Sequence, residues 1–144
     1  MQTTLLDVNV LIALCDKEHI HHGDAARWFY LNAKAGWASC PLTQNGAIRI
    51  MSNSKYPNSR PIGMVIEQIN QLCNTSYHHF WNDNLSLIDS TIFNRRHLLI
   101  PKQITDTYLL ALAVNQNGKF LTIDRGISLS SVVGAQKQHL EKLI

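Results

Sequence analysis

Three aspartates far apart in the chain carry the clearest chemical signal: Asp7, Asp106 and Asp124. Asp7 closes the short apolar run that begins at Leu5, and an apolar segment through Leu14 follows with almost no connecting loop. Asp124 closes a second run, Lys119 to Ile123, ahead of the turn Arg125-Gly126. Asp106 opens the apolar stretch Tyr108 to Val114, where its charge would favour the positive end of a helix. In a parallel α/β sheet the carboxyl ends of strands and the amino ends of the following helices share one rim, so these acids are expected to converge. Gathered carboxylates repel one another, and a divalent cation offsets that repulsion. Oxygen ligands without Cys or His point to Mg²⁺ or Mn²⁺, which can activate water and stabilise charge on a phosphate during hydrolysis. The simpler reading of Asp7 alone is a helix cap whose side-chain oxygen accepts a backbone N–H.

The elements that must position these acids follow from the spacing of apolar residues. Leu5 to Val10 reads as a first strand, and Leu11, Ile12 and Leu14 as a short helix to about Lys17. His19, His21 and His22 lack a Cys or acid at zinc-like spacing, so a loop and helix start is expected there. Ala25, Ala26, Trp28, Phe29 and Leu31 give a second helix closed by Gly36, and Trp37 to Cys40 a short strand. Thr43 is expected to cap a helix carrying Gln44, Asn45, Ile48, Arg49 and Met51. Ser52 to Pro61 reads as a polar surface loop, in which Lys55, Tyr56 and Arg60 offer a second reading as an RNA contact. Met64, Val65, Ile66, Ile69 and Leu72 keep helical spacing after Pro61. His78 to Trp81 reads as a loop or short extended piece, Leu85 to Ile88 as a strand, and Asp89-Ser90 as the start of a helix to about Arg96. Val132-Val133 and Gln136 to Ile144 are expected to add an edge strand and a last helix. Strands alternating with helices predict a single α/β domain over residues 1–144, with a central parallel sheet flanked by helices.

The 144 residues suffice for one domain with a real core, and 45% hydrophobic with 16% charged residues excludes a disordered chain. A net charge of +3 from scattered Lys and Arg permits a polyanionic partner without demanding one. Three widely spaced cysteines and no Cys-x-x-Cys predict reduced thiols in a cytoplasmic protein. No apolar run is long enough to span a bilayer, and no basic segment precedes the first apolar run as in a signal peptide. No Gly-rich phosphate loop and no Gly-x-Ser-x-Gly is present, which leaves nucleoside-triphosphate and serine-hydrolase chemistry without support.

Leu5-Leu6-Asp7-Val8-Asn9-Val10-Leu11 resembles the opening motif of PIN-domain ribonucleases. Gln103 to Ala113, with Asp106, resembles their third motif, and Leu121-Thr122-Ile123-Asp124-Arg125-Gly126 their fourth. Order and spacing are similar to the VapC-like toxins of type II toxin–antitoxin systems over essentially the whole chain. His22, Trp28 and the segment Cys40 to Arg49 resemble a subgroup of that family. The resemblance implies a PIN-like fold and a Mg²⁺- or Mn²⁺-dependent endoribonuclease, with RNA as substrate, a cognate antitoxin protein as partner, and a homodimer. It further implies that Asp7, Asp106 and Asp124 form the acidic metal site, that Asn9 supports Asp7 by hydrogen bonding, and that Thr122 faces the same site.

One departure bears on activity. Such proteins usually carry a second-motif acid at the start of the helix after strand two, and here the residues are Thr43-Gln44-Asn45-Gly46. Fewer carboxylates imply weaker cation binding, so Gln44→Glu is expected to tighten it. The alternative function is therefore a weakened or inactive PIN paralogue that serves as an RNA- or antitoxin-binding module. A haloacid-dehalogenase-like phosphatase, whose nucleophile also ends strand one, usually has a second Asp two residues later, and Asn9 stands there instead.

Overall fold

The computed structural model describes residues 2–98 and 100–144. Its frame is a sheet of five strands: β1 (Thr4–Leu6), β2 (Trp37–Ser39), β3 (His78–Phe80), β4 (Lys119–Thr122) and β5 (Leu140–Lys142). They lie in the order β3-β2-β1-β4-β5, and every pairing is parallel. Helices α1 (Val8–Cys15), α2 (His22–Asn32), α3 (Pro41–Met51), α4 (Ile62–Cys73) and α5 (Ile104–Asn115) supply the covering layers. The expected α/β architecture, a central parallel sheet flanked by helices, is what the chain forms.

The pleat separates two cores. Leu5, Ala38, Cys40 and Phe120 face α5, whereas Leu6, Trp37 and Leu121 face α1 to α4. A strand covered on both sides can be apolar throughout, which is why the residues of β1 are all buried. Helix α5 is buried from Thr107 to Ala113 because the sheet lies on one side of it and the irregular segments around residues 81–98 and 127–135 on the other. The chain runs outward from β1 through β2 to β3, then crosses the other face and returns at β4. The direction therefore reverses between β1 and β4, and in such sheets the carboxyl ends at that reversal form the binding crevice.

Several boundaries differ from the sequence reading. The first strand stops at Leu6, and Val8–Val10 already belong to α1, because Asp7 accepts the Val8 N–H and caps the helix. Helix α3 starts at Pro41 with Cys40 as its cap; the expected cap, Thr43, lies three residues in and accepts from the Cys40 N–H at 3.0 Å. The edge beside β2 is taken by His78–Phe80, so Leu85–Ile88 forms no strand and instead packs Leu85 and Leu87 over the α5 core. The helix expected after Asp89 is reduced to turns and one 3-10 turn at Arg95–His97. The tail departs from the expectation: Val132 makes only an isolated antiparallel bridge to Phe93, and the stretch expected as a last helix forms a 3-10 turn at Lys137–His139 followed by the edge strand Leu140–Lys142, paired with β4. Among the described residues no helix is long and apolar enough to cross a membrane.

Candidate active site

The site is built where β1 and β4 lie side by side. Leu6 pairs with Leu121, so Asp7 and Thr122, one step further along, rise together on the face that α5 covers. Asp7 is 3% exposed, and its two oxygens are each satisfied: Oδ1 accepts from Val8 N at 2.7 Å and Oδ2 from Thr122 Oγ1 at 2.7 Å. The cap reading of Asp7 is borne out, and capping occupies only one of its two oxygens. The fully buried Thr122 hydroxyl also accepts from Asp124 N at 3.0 Å, joining two of the acids through one side chain.

Asp124 opens the turn after β4, and its Oδ1 accepts from Gly126 N at 2.7 Å. That turn is held against the start of α5, because Gln103 Nε2 donates to the Gly126 carbonyl. A Cβ on Gly126 would lie 3.0 Å from Gln103 Nε2 and 3.3 Å from Asp124 Oδ1, so the close approach suits glycine. Asp106, in the first turn of α5, is thereby brought to Asp124 and hydrogen-bonds its carboxylate. The three sequence-predicted acids thus lie in one neighbourhood on one rim.

Their protonation differs according to surroundings. Burial first, then the charge of Asp7 and the contact with Asp124, pushes the Asp106 carboxyl up to about 8. Near neutral pH this favours the protonated form of Asp106. Asp124 is held low by the Gly126 N–H and by the hydrogen bond from Asp106, with Lys102 and Lys142 adding to this against partial burial. Asp7 is raised by burial above all, a shift that the Thr122 and Val8 donors oppose and the Asp124 charge augments.

Two expected roles are altered. Asn9 is exposed on α1, and among the described hydrogen bonds it makes none to Asp7; the donors are Val8 and Thr122. Gln44 donates through Nε2 to Ser39 Oγ at 2.9 Å. Ser39 follows Ala38 by one residue and so faces the α1–α4 side, opposite Asp7, where His78 Nε2 also meets it at 2.7 Å. A carboxylate does stand at the start of α3, but it comes from Asp83 in the loop after β3, which accepts from Leu42 N at 2.9 Å. In the loop 52–61, Tyr56 donates to Asp16, and Arg60 to Gln68, so these side chains anchor the loop to α1 and α4 and are not free to stack on a nucleotide.

Sequence reasoning missed Gln103 and Gly126 as the fastening between the Asp106 and Asp124 segments. The available signal was a polar residue just before one helix and a glycine two residues after a strand-end acid.

No protein-family model matches the chain. Curated relatives do. Ribonuclease VapC44 of Mycobacterium tuberculosis (strain ATCC 25618 / H37Rv) is 46% identical over 139 residues, covering 96% of this chain and 98% of the relative. Ribonuclease VapC39 of the same strain is 38% identical over 133 residues, covering 92% and 96%. Ribonuclease VapC38, also of that strain, is 38% identical over 125 residues, covering 85% and 86%.

Proposed function

We propose, from the premise that the chain belongs to the VapC family of PIN-domain ribonucleases, that it is an endoribonuclease toxin that hydrolyses RNA phosphodiester bonds with Mg²⁺ or Mn²⁺. The observation that supports this reading is the set Asp7–Thr122–Asp124–Asp106 at the reversal point of the sheet. Among the described residues no three His, Cys, Asp or Glu side chains are already gathered tightly enough to enclose an ion. The donor chemistry nonetheless fits a hard cation. All three candidate ligands are carboxylates, and Asp106 is raised in part by the charges of Asp7 and Asp124, a repulsion that a cation would relieve.

Asp7, Asp106 and Asp124 would hold the ion. Bound there, a divalent ion would activate water and stabilise negative charge on the scissile phosphate. The protein's own part is positional. Thr122 fixes one oxygen of Asp7 and the backbone of Asp124, the Val8 N–H fixes the other oxygen, and Gln103 keeps the Asp124 turn on α5. Asp106, whose carboxyl is raised by burial and by Asp7, would have to lose its proton to hold the ion.

The partners proposed with this activity are a cognate antitoxin protein and a second copy of the chain. Ile62, Met64 and Ile66 on α4, with Tyr30 and Leu31 on α2, leave apolar surface exposed that supports such association. Trp28, by contrast, is buried and donates to Glu141 at 2.8 Å. A binding-only paralogue was suggested by Gln44 alone, and no observation favours it.

The test is cleavage of a single-stranded RNA by the purified protein with Mn²⁺ or Mg²⁺, with EDTA, and in Asp7→Asn. Asn also caps helices, so the variant should stay folded. Cleavage should need the ion and vanish in the variant. Cleavage that persists in EDTA, or in Asp7→Asn, overturns the proposal, as does a wild-type protein inert towards RNA.

A further inference from the structure

The turn Asp124–Gly126 is bordered by two lysines from different elements. Lys142, at the end of β5, is the register partner of Thr122, so it rises from the same row and face as Thr122 and Asp7. Its ammonium reaches across the turn to the Arg125 carbonyl at 3.5 Å. On the other side Lys102 immediately precedes Gln103, whose amide holds the Gly126 carbonyl. Both lysines are exposed, and neither forms an ion pair with a carboxylate among the described residues. The contrast is Lys119, which begins β4 at the opposite end of the sheet and is neutralised by Glu141 at 2.9 Å.

Two exposed ammonium groups beside the acidic rim, held in no carboxylate ion pair among the described residues, keep donor capacity for a further anion. They suit a ligand that must bring negative charge close to carboxylates. A lysine ammonium is a mobile point charge that accepts a phosphate from several directions.

We propose that Lys102 and Lys142 form a two-sided clamp for a backbone phosphate of single-stranded RNA, next to the phosphodiester positioned over Asp7, Asp106 and Asp124. This rests on the ribonuclease reading and adds the direction of the strand, which runs over the Asp124–Gly126 turn between the start of α5 and the end of β5. The lysines bind and position the strand and take no part in bond cleavage.

The test measures binding of a fluorescein-labelled single-stranded RNA to the Asp7→Asn protein by anisotropy, between about 50 and 200 mM salt. Each phosphate contact to a single strand adds about 0.7 to the slope of log affinity against log salt. Lys102→Gln with Lys142→Gln should therefore lower the slope by about 1.4, which over that fourfold range is about a sevenfold smaller loss of affinity. Lys102→Arg with Lys142→Arg should restore it. Lys34→Ala, in the turn before β2 at the far end of the sheet, should leave it unchanged. In the otherwise wild-type protein the double Gln variant should raise KM for RNA and leave kcat within about twofold. An unaltered slope and KM in a protein that binds and cleaves RNA overturns the clamp alone, as does an equal change from Lys34→Ala. A wild-type protein that neither binds nor cleaves RNA overturns the clamp together with the ribonuclease reading.

Discussion

Thr122→Val removes the hydroxyl that joins Asp7 to Asp124 while keeping a branched side chain of nearly the same shape. In the wild type that hydroxyl donates to Asp7 Oδ2 at 2.7 Å and accepts from Asp124 N at 3.0 Å, with the residue fully buried. The variant leaves Asp7 with a single donor, Val8 N–H, and leaves the Asp124 N–H without its acceptor. A hydrogen bond to a charged group contributes about 1.5–3 kcal/mol. At about 1.4 kcal/mol per tenfold, the loss corresponds to roughly a ten- to hundredfold weaker hold on a divalent ion. The same range is typical for residues that orient metal-binding carboxylates without touching the ion. Calorimetric titration with Mn²⁺ gives the affinity, and RNA cleavage at saturating Mn²⁺ gives the remaining effect on rate. Thr122→Ser, which keeps the hydroxyl, should recover most of the loss. A Thr122→Val protein that binds Mn²⁺ and cleaves RNA within about twofold of wild type would refute the reasoning, since the lost bond alone should cost more than that.

The remaining expectations concern protonation, the α3 start and one close backbone contact. Asp106 is raised to about 8 in the folded protein, so it contributes stability that is fully present below the ordinary carboxylate range and is lost as pH rises towards that value. Melting in EDTA should therefore show a falling Tm as pH rises to about 8, and Asp106→Asn should flatten the fall; a wild-type curve no steeper than the variant's would contradict it. Mn²⁺ binding near neutral pH should release a proton, read from calorimetry in buffers of different ionisation enthalpy, and buffer-independent heats would speak against a protonated Asp106. Gln44→Glu should leave Mn²⁺ affinity unchanged and cost about 0.5–1.5 kcal/mol in urea unfolding, because Gln44 donates to Ser39 on the face away from Asp7. Tighter Mn²⁺ binding in Gln44→Glu would show that the side chain reaches the acids. Gly118→Ala should destabilise the fold by about 1–3 kcal/mol, because a Cβ there would press on the Thr3 carbonyl and lie 2.9 Å from the Trp81 ring; a loss below about 0.5 kcal/mol in the same unfolding assay would refute that contact.

Much of the frame is written locally. An apolar run ending in an acid, with a helix-like segment straight after, determines both the strand β1 and the cap at Asp7, since one carboxylate oxygen satisfies the first free helix N–H. The uniform apolarity of Tyr108 to Ala113 likewise marks α5 as a helix enclosed on all sides. The alternation of such segments leads to a parallel sheet, and from there to a rim shared by Asp7, Asp106 and Asp124. What the sequence does not contain is register and direction. Gln44 looked like the substitute for a missing acid, but a shift of one residue along a strand exchanges the faces of the sheet, and its partner Ser39 lies on the opposite side from Asp7. Leu85–Ile88 and His78–Phe80 were both plausible extended pieces, and the pairing with β2 decided between them because only one segment can occupy that edge. Burial and neighbouring charge together put the proton on Asp106, and neither exists until α5 is docked beside Asp7 and Asp124. Lys142 reaches the rim only because the tail pairs with β4 as a parallel strand, a long-range contact that no local pattern in Gln136 to Ile144 encodes.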